Sequence, residues 1–471
     1  MLLKRFYDAK LAQASYLVGC QATGDAIVVD ANRDLDQYLA AARDEGVRIT
    51  HVTETHIHAD FVSGSRELTE RTGAALLLSD EGGDDWRYAF AKDAGATLLH
   101  DGDAIMVGNI RLQVMHTPGH TPEHIVFLVT DTRATDRPMG LLSGDFIFVG
   151  DVGRPDLLER AANMKGTMEA GAHALYASIQ RTRTLPDYLQ IWPGHGAGSA
   201  CGKALGAIPS STLGYERIAN WALAPMTEQA FVGEVLAGQP EPPKYFADMK
   251  RINREGPASI GGFHTPPLAT ESVADLVSGG ALVVDTRPAV EFAQRFVPGT
   301  ISIPLNKSFS NWAGSLIPFD RDFYLIAGRE HIAEATRDLA MIGLDRIKGY
   351  LEPAVIDAGS SPLGHTGQVQ VGELAQRIAR GEVMVIDVRG RSEWDAGHIA
   401  GVPNIPLGTL PDRLGEIPRD RPIAVHCQGG GRSAIAASVL EANGFENVVN
   451  VTGGFGAWEK EGLPVSHSTH H

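Results

Sequence analysis

The chain has 471 residues, too many for one compact core, and this length predicts two to four domains. Its hydrophobic content of 43% and charged content of 21% are ordinary for a globular protein, and no apolar run approaches the roughly 18 residues of a membrane span. The formal net charge of −16 argues against nucleic-acid binding, because phosphates require a cationic surface. We therefore expect a small-molecule substrate, with neither nucleic acid nor membrane as a partner.

The N-terminal residues MLLKRFYDAKLAQASY lack the apolar core and cleavage site of a secretory signal, which predicts a cytoplasmic protein. Three cysteines in so long a chain form no disulfide framework, so each is interpreted as a thiol. Cys20 lies in the strand-like segment YLVGCQ and is expected to pack in a core. Cys201 in GSACGK is either a buried structural cysteine or an accessory thiol near a metal.

Histidines and aspartates follow four predicted strands within a first α/β domain, which we assign to residues 1–250. Loops at strand ends commonly carry binding and catalytic groups. Four such loops with histidine or carboxylate beside glycine or proline predict a metal site. The candidate residues are His56, His58 and Asp60 in THIHAD, His120 in HTPGHTPEH, Asp145 in LLSGDF and His195 in IWPGHG.

An internal repeat occupies the C-terminal half of the chain. The segment LVVDTRPAVEFAQRFVPGTISIPL at 282–305 aligns with MVIDVRGRSEWDAGHIAGVPNIPL at 384–407, at a constant offset of 102. This period indicates duplicated domains, and the alternation of strands and helices in each copy indicates a parallel sheet. We assign residues 263–358 and 368–471 to the two copies, with RINREGPASIGG at 251–262 as a linker before them.

The last copy contains a cysteine loop, HCQGGGRS, between a predicted strand and an alanine-rich helix. Backbone N–H groups of such a loop and the helix dipole favour a thiolate and hold a persulfide anion. Cys427 is therefore predicted to be a nucleophile, with Arg432 adding positive charge beside it. The residues predicted to contact its substrate are Gln428, Gly429, Gly430 and Gly431.

The first copy has no cysteine in the equivalent stretch YLIAGREHIAEA, where either Ile326 or Ala327 replaces it. Arg329 and His331 are still able to bind an anion there. A structural or docking role is nevertheless the prediction for this copy, because it has no nucleophile.

The motifs THIHAD, HTPGH, SGD and PGHG resemble those of the metallo-β-lactamase superfamily, and SGDFIFVGDVGRPD resembles its persulfide dioxygenase branch. The cysteine loop resembles that of rhodaneses, as do DVR, EW, GHI and TGG in the same copy. The whole chain is thus similar to persulfide dioxygenase–rhodanese fusion enzymes. The resemblance implies an α/β multidomain protein, with a metallo-β-lactamase αββα sandwich followed by two rhodanese-type α/β domains with parallel sheets.

The resemblance also implies one Fe(II) ion per chain. Persulfide dioxygenases hold iron with two histidines and one aspartate, which correspond here to His56, His120 and Asp145. Such a triad leaves neighbouring positions open for substrates. Two-metal hydrolases of the superfamily carry a further histidine where this chain has Phe61. A phenyl ring cannot bind a metal, so we expect the second metal site to be incomplete.

Other polar groups in these motifs have less certain roles. His58, Asp60 and His195 are expected to support the metal ligands or to be vestiges of the second site. Arg154 and Asp156, in GRPD, either hold an anionic part of a thiol carrier or brace their loop. We count the pair among the substrate-binding candidates.

The resemblance implies that the first domain oxidises a thiol persulfide with O2 to thiol and sulfite. The last domain would transfer sulfane sulfur to or from sulfite through a Cys427 persulfide, with thiosulfate as the joint product. The expected small-molecule partners are therefore a thiol persulfide, O2 and sulfite or thiosulfate. The protein is expected to be a homo-oligomer, and its expected role is sulfide detoxification. The alternative is a glyoxalase II-like thioester hydrolase with appended sulfur carriers, which metal content and oxygen uptake would distinguish. A scaffold that only docks partners is disfavoured by the intact Cys427 loop.

Overall fold

The computed structural model describes residues 1–157, 159, 166–358 and 362–467. The chain divides into two compact units, one formed by Met1–Gly262 with Ala340–Gly343 and the other by Phe263–Leu339 with Leu344–His471. No helix within the described ranges is long and apolar enough to cross a membrane.

The first unit contains two six-stranded sheets. One has the order β1-β2-β3-β4-β5-β6, antiparallel up to β3 and parallel from β3 onward. Its strands are β1 (Leu2–Asp8), β2 (Gln13–Cys20), β3 (Asp25–Val29), β4 (Arg48–Thr53), β5 (Ala75–Ser79) and β6 (Thr97–Leu99).

The other sheet has the order β12-β11-β10-β9-β8-β7 and is antiparallel except between β10 and β11. Its strands are β7 (Ala104–Val107), β8 (Ile110–His116), β9 (Ile125–Asp131), β10 (Gly140–Gly144), β11 (Gln190–Pro193) and β12 (Ser211–Thr212).

Both faces of each sheet are covered, which explains the nearly continuous apolar strands. Along β2, Tyr16 and Val18 pack between the two sheets, whereas Leu17 packs against helices on the outer side. A separate apolar cluster joins the outer face of the second sheet to its own helices. The layers therefore run helix, sheet, sheet, helix. The helices of this unit are α1 (Leu35–Asp44), α2 (Ser65–Thr72), α3 (Thr167–Arg181), α4 (Leu213–Ala219), α5 (Glu228–Leu236) and α6 (Phe246–Glu255).

The linker predicted at residues 251–262 begins as helix, because α6 continues to Glu255. Phe246, Met249 and Asn253 are its buried residues and lie on one helical face. The glycine and proline that suggested a linker start only at Gly256, where the backbone turns to a φ of +97°. That part of the linker prediction was wrong, and the boundary predicted at residue 250 falls inside α6.

The second unit contains two four-stranded parallel sheets, as predicted for the repeat. Their orders are β14-β13-β15-β16 and β17-β20-β19-β18. The strands are β13 (Leu282–Asp285), β14 (Ile301–Ser302), β15 (Phe323–Ile326), β16 (Ile347–Leu351), β17 (Gly367–Val369), β18 (Met384–Asp387), β19 (Ile423–His426) and β20 (Val448–Val451).

Helices pack around these sheets. Those of the first copy are α7 (Val273–Ser278), α8 (Ala289–Gln294), α9 (Phe309–Leu316), α10 (Ile332–Met341) and α11 (Val355–Ala358). Those of the last copy are α12 (Val371–Ala379), α13 (Arg391–Ala396), α14 (Gly431–Ala442) and α15 (Gly454–Lys460). Both sheets belong to one compact unit, so the separation into domains 263–358 and 368–471 stays a prediction.

Candidate metal centre and cysteine loop

Two histidines and one aspartate from separate strand ends meet in the first unit. The Nε2 atoms of His56 and His120 lie 3.8 and 3.4 Å from Oδ2 of Asp145. Their potential ligand atoms all lie within 4.8 Å of one another, and each residue is almost fully buried. The structure thus brings together the three residues predicted to hold iron.

Backbone carbonyls fix the orientation of two histidine rings at this cluster. Nδ1 of His120 donates to the Arg154 carbonyl at 2.9 Å, and Nδ1 of His195 donates to the Ala12 carbonyl at 3.0 Å. Because a carbonyl only accepts hydrogen bonds, each Nδ1 carries a proton, and each ring turns its Nε2 toward Asp145. Burial lowers the pKa of His120, which favours the neutral, metal-binding ring.

The buried Asp145 carboxylate lacks hydrogen-bond donors among the residues that the structure describes. Within the described part of the chain, neither of its oxygens accepts a hydrogen bond, although the residue is only 1% exposed. A buried carboxylate without donors is costly. A bound divalent metal would satisfy it, and two neutral histidines with one carboxylate suit such an ion. The residues present therefore fit the metal that the fold family implies.

Three buried side chains that sequence analysis missed hold the THIHAD loop in place. Asp30, at the end of β3, accepts from Thr55 N at 2.6 Å, and its carboxylate lies 3.1 Å from His58 Nε2. Glu123 accepts from Ile57 N at 2.8 Å. Asn253 on α6 donates to the His58 and Phe61 carbonyls at 2.8 and 2.7 Å.

The geometry gives His58 a supporting position, because Asp30 holds its Nε2. Phe61 is fully buried and its ring lies against His58, with centroids 4.5 Å apart. The Phe61 ring thus fills space beside the cluster. It offers no metal ligand where the two-metal hydrolases have a histidine.

A second group of potential ligands lies next to the first. Asp60, His195 and Cys201 also have ligand atoms within 4.8 Å of one another, and His195 Nε2 lies 3.3 Å from Asp60 and 3.5 Å from Asp145. Burial, together with the charges of Asp145 and Asp60, raises the pKa of the Cys201 thiol well above its usual value. Cys201 is therefore a buried, protonated thiol beside the potential metal ligands.

Arg154 and Asp156 form a fully buried ion pair. Arg154 donates from Nε and Nη2 to the two Asp156 oxygens at 2.7 Å, and it also donates to the Ala200 and Pro240 carbonyls. Both side chains are inaccessible to solvent. This geometry supports the bracing alternative over the substrate-binding one, because the guanidinium is buried and already occupied by protein acceptors.

We expect Arg154→Met to destabilise the first unit by about 3–5 kcal/mol, because it leaves the buried Asp156 carboxylate without its counter-charge. Fluorescence-monitored denaturation should show the corresponding transition at lower denaturant concentration. Arg251→Met is the matched control, since the Arg251 pairs with Asp248 and Glu255 are exposed and worth at most about 1 kcal/mol. Equal effects of the two substitutions would contradict the bracing role.

In the second unit, the Cys427 sulfur lies inside the predicted cradle. Sγ accepts hydrogen bonds from Gly430 N at 3.1 Å and Ser433 Oγ at 3.5 Å. The residue is 2% exposed and directly follows β19. Gly430 has a φ of +98°, a conformation that glycine adopts readily, and α14 starts at the next residue. The loop therefore points backbone N–H groups and a helix N-terminus at the sulfur.

Arg432 beside this loop is paired, which sequence analysis did not foresee. Its two Nη atoms donate to the Glu393 carboxylate at 2.6 and 2.7 Å. Burial raises the pKa of Glu393, but the hydrogen bonds from Arg432 outweigh that effect and lower it overall. Gln428 is also held, because its Oε1 accepts from Arg389 Nη1 at 3.2 Å. The loop thus depends on contacts to one other segment of its own copy, residues 389–393.

The register of the sheets identifies the residue that replaces the cysteine in the first copy. Asp285 pairs with Ile326, as Asp387 pairs with His426 in the last copy. The next residues, Ala327 and Cys427, are therefore equivalent. Of the two alternatives left open, the structure selects Ala327.

Comparison with known proteins gives two family matches. The Metallo-beta-lactamase superfamily matches residues 9–195, and the Rhodanese-like domain family matches residues 370–461. A crystal structure of a metallo-beta-lactamase from Staphylococcus aureus subsp. aureus COL is 45% identical, with a TM-score of 0.68, and the match covers 75% of this chain and 99% of that one. The chain belongs to the metallo-beta-lactamase superfamily.

Two further relatives match separate parts of the chain. A Sulfurtransferase from Allochromatium vinosum is 38% identical over 20% of this chain and 87% of its own length. A Hydroxyacylglutathione hydrolase from Nitrosococcus oceani is 32% identical over 41% of this chain and 66% of its own length. The chain spans between 53% and 72% of the length of this hydrolase and other curated relatives of the metallo-beta-lactamase domain.

These matches confirm the predicted fold class, a metallo-beta-lactamase fold followed by rhodanese-like structure with parallel sheets. Both matched parts are enzyme-type domains. The metallo-beta-lactamase fold is one that binds metal ions, in agreement with the buried ligand cluster.

Proposed function

We propose that this protein is a persulfide dioxygenase joined to a sulfurtransferase. The metallo-beta-lactamase domain would convert R–S–SH, O2 and water to R–SH and sulfite with release of two protons. The rhodanese-like domain would move sulfane sulfur between a thiol persulfide and sulfite. The observation that carries the proposal is one chain with both a His56, His120 and Asp145 cluster and a cradled Cys427.

In the first reaction the protein would supply a fixed, water-poor site. When bound, a single Fe(II) supplies the redox chemistry that joins O2 to the outer sulfur. The carbonyls of Arg154 and Ala12 keep His120 and His195 in one tautomer. The buried surroundings of Asp145 keep competing water away from its carboxylate. His195, whose Nε2 lies 3.5 Å from Asp145, would hydrogen-bond a molecule bound at the cluster.

In the second reaction Cys427 would attack the outer sulfur of the donor. Gly430 N and Ser433 Oγ, which already contact Sγ, stabilise negative charge on that sulfur. Arg432 is close to the same atom and would attract sulfite or thiosulfate. Sulfite then takes the outer sulfur and leaves as thiosulfate, which returns Cys427 to a thiolate.

The second candidate is a thioester hydrolase. The hydroxyacylglutathione hydrolase relative favours it, as does the second ligand group formed by Asp60, His195 and Cys201. Phe61 disfavours it, because hydrolysis by two metals needs a complete second site and this position offers no ligand. A hydrolase would also have no evident use for the Cys427 loop.

The deciding experiment is oxygen uptake on metal-quantified protein with a panel of thiol persulfides. We expect one iron per chain and one O2 consumed per persulfide, with sulfite as the product when sulfur transfer is blocked. Two zinc ions per active chain, thioester hydrolysis and no oxygen uptake would overturn the proposal in favour of the hydrolase.

Phe61→His tests the single-metal assignment separately. The new imidazole is expected to increase the binding of a second metal ion without increasing oxygen uptake, because the proposed chemistry needs open positions on one ion only. Metal content by elemental analysis and the rate of oxygen uptake are the two measurements. Higher dioxygenase turnover in this variant would show that the account of the site is wrong.

A further inference from the structure

A cavity of about 780 Å³ lies in the second unit beside the Cys427 loop. The last copy contributes Gly431, Arg432 and Ile435 to its lining. The rest of its wall comes from the first copy, including Trp312 on α9 and the loop residues Glu330 and His331. The copy without a nucleophile therefore forms most of a chamber that ends at the sulfur-transfer loop.

The two equivalent loops of the repeat face this same chamber. Gly328, Glu330 and His331 follow β15 as Gln428, Gly430 and Gly431 follow β19. The first loop has Ala327 in place of the cysteine and charged side chains in place of glycines. Glycines near Cys427 leave space for a small anion, whereas charged side chains in the first loop offer groups that can contact a larger organic molecule.

Charges on the chamber wall are of both signs. The guanidinium groups of Arg287 and Arg432 are already paired, with Asp285 and Glu393 respectively. Carboxylates from the first copy face the chamber as well: Glu291, Glu330 and Glu334. Glu330 is 72% exposed and lies 3.7 Å from His331. The first copy thus offers carboxylates for an ammonium group, and Arg432 of the last copy offers positive charge for an anion.

We infer that the first copy is the binding module for the organic carrier, a peptide-like thiol that bears a free ammonium group. The inference rests on the proposed function and deepens it. The carrier would lie in the chamber with its ammonium group against Glu330 and its sulfur toward Arg432 and Cys427. Loss of the nucleophile from the first copy then accompanies a change of role from sulfur transfer to substrate recognition.

The transfer step balances without any further reactant. The carrier thiolate attacks the outer sulfur of the Cys427 persulfide, so that a new S–S bond forms on the carrier as the S–S bond to Cys427 breaks. Cys427 leaves as a thiolate, which the hydrogen bond from Gly430 N stabilises. The proton of the persulfide stays on the transferred sulfur. No net oxidation or reduction occurs.

Two matched acceptors test the inference on the full-length protein, with thiosulfate as the sulfur donor. Glutathione carries an ammonium group, and N-acetylglutathione is the same thiol without it. We expect Glu330→Gln to raise the KM for glutathione by roughly threefold to tenfold and Glu330→Lys to raise it further, because the variants remove and then reverse the charge. The KM for N-acetylglutathione should change little, and kcat should be kept.

Arg329→Ala is the control variant, since Arg329 belongs to the same loop and pairs with Glu352 instead of lining the chamber. It should leave both KM values unchanged. A second cavity, lined by Val290 and Gly429 among others, offers a rival position. If Val290→Ala shifts the KM for glutathione and the Glu330 variants do not, the assignment of the chamber is overturned.

Transfer from thiosulfate to cyanide needs Cys427 but no organic carrier, so it separates the two proposals. If Cys427-dependent transfer to cyanide is normal while neither Glu330 variant alters the use of glutathione, only the carrier inference is overturned. If the Glu330 variants lower cyanide transfer equally, the loop is structural and the inference is also overturned. If wild-type protein transfers no sulfur to cyanide through Cys427, the proposed sulfurtransferase function itself fails.

Discussion

Cys427→Ser is expected to lower sulfur transfer by roughly a thousandfold or more while persulfide-dependent oxygen uptake continues. A serine oxygen cannot carry sulfane sulfur as a persulfide, although its size lets it occupy the same cradle below Gly430 N. The oxygen-consuming reaction would use His56, His120 and Asp145 in the other unit and has no step at Cys427. Product analysis should therefore show sulfite in place of thiosulfate.

The matched control is Cys20→Ser, which makes the same chemical change at a buried cysteine of the first unit. Cys20 accepts from Asn109 N at 3.2 Å and has no part in either proposed reaction. It should leave both products as in the wild type. Unchanged thiosulfate formation in Cys427→Ser, under conditions where sulfite and persulfide do not react spontaneously, would refute the sulfurtransferase assignment.

His120→Ala is expected to show the reverse pattern, with metal binding weakened and oxygen uptake reduced by roughly a hundredfold or more. The substitution removes the imidazole that the Arg154 carbonyl orients toward Asp145. A cation bound at the buried Asp145 carboxylate would therefore have one protein ligand fewer. Sulfur transfer from thiosulfate to cyanide should be kept. Iron analysis, oxygen uptake and cyanide transfer on the same preparation are the measurements.

His173→Ala serves as its control, because His173 lies on α3 and pairs at the surface with Glu228. Its effect on iron content should be negligible. A His120→Ala protein that retained a full complement of iron and normal oxygen uptake would contradict the assignment of the metal ligands.

The group of potential metal ligands could be predicted because each of its residues lies in a recognisable local sequence motif. His56, His120 and Asp145 each occur in a short motif directly after an apolar strand, and strand ends that share an edge of the sandwich bring such residues together. The cysteine loop is similarly local, since Cys427 and the helix that follows it are adjacent in sequence. The fold class followed from these motifs and from the repeat.

The groups that hold these residues in place could not be predicted in the same way. Asn253 lies 195 residues from His58, whose carbonyl it binds, and no periodic pattern connects them. The pairing of Arg432 with Glu393 likewise depends on the tertiary approach of two segments. The choice between Ile326 and Ala327 needed the strand register, because the repeat offset of 102 in the first segments becomes 100 at β15 and β19.

The bond from His120 to the Arg154 carbonyl has a consequence for how this site tolerates evolutionary change. Every amino acid supplies a backbone carbonyl, so the ring of His120 depends directly on the path of the chain, and on the side chain of residue 154 only through that path. The Arg154 side chain secures that path through Asp156. A natural substitution at residue 154 should therefore change the fraction of the protein that folds at growth temperature. It should leave the metal chemistry of the folded molecules unaltered.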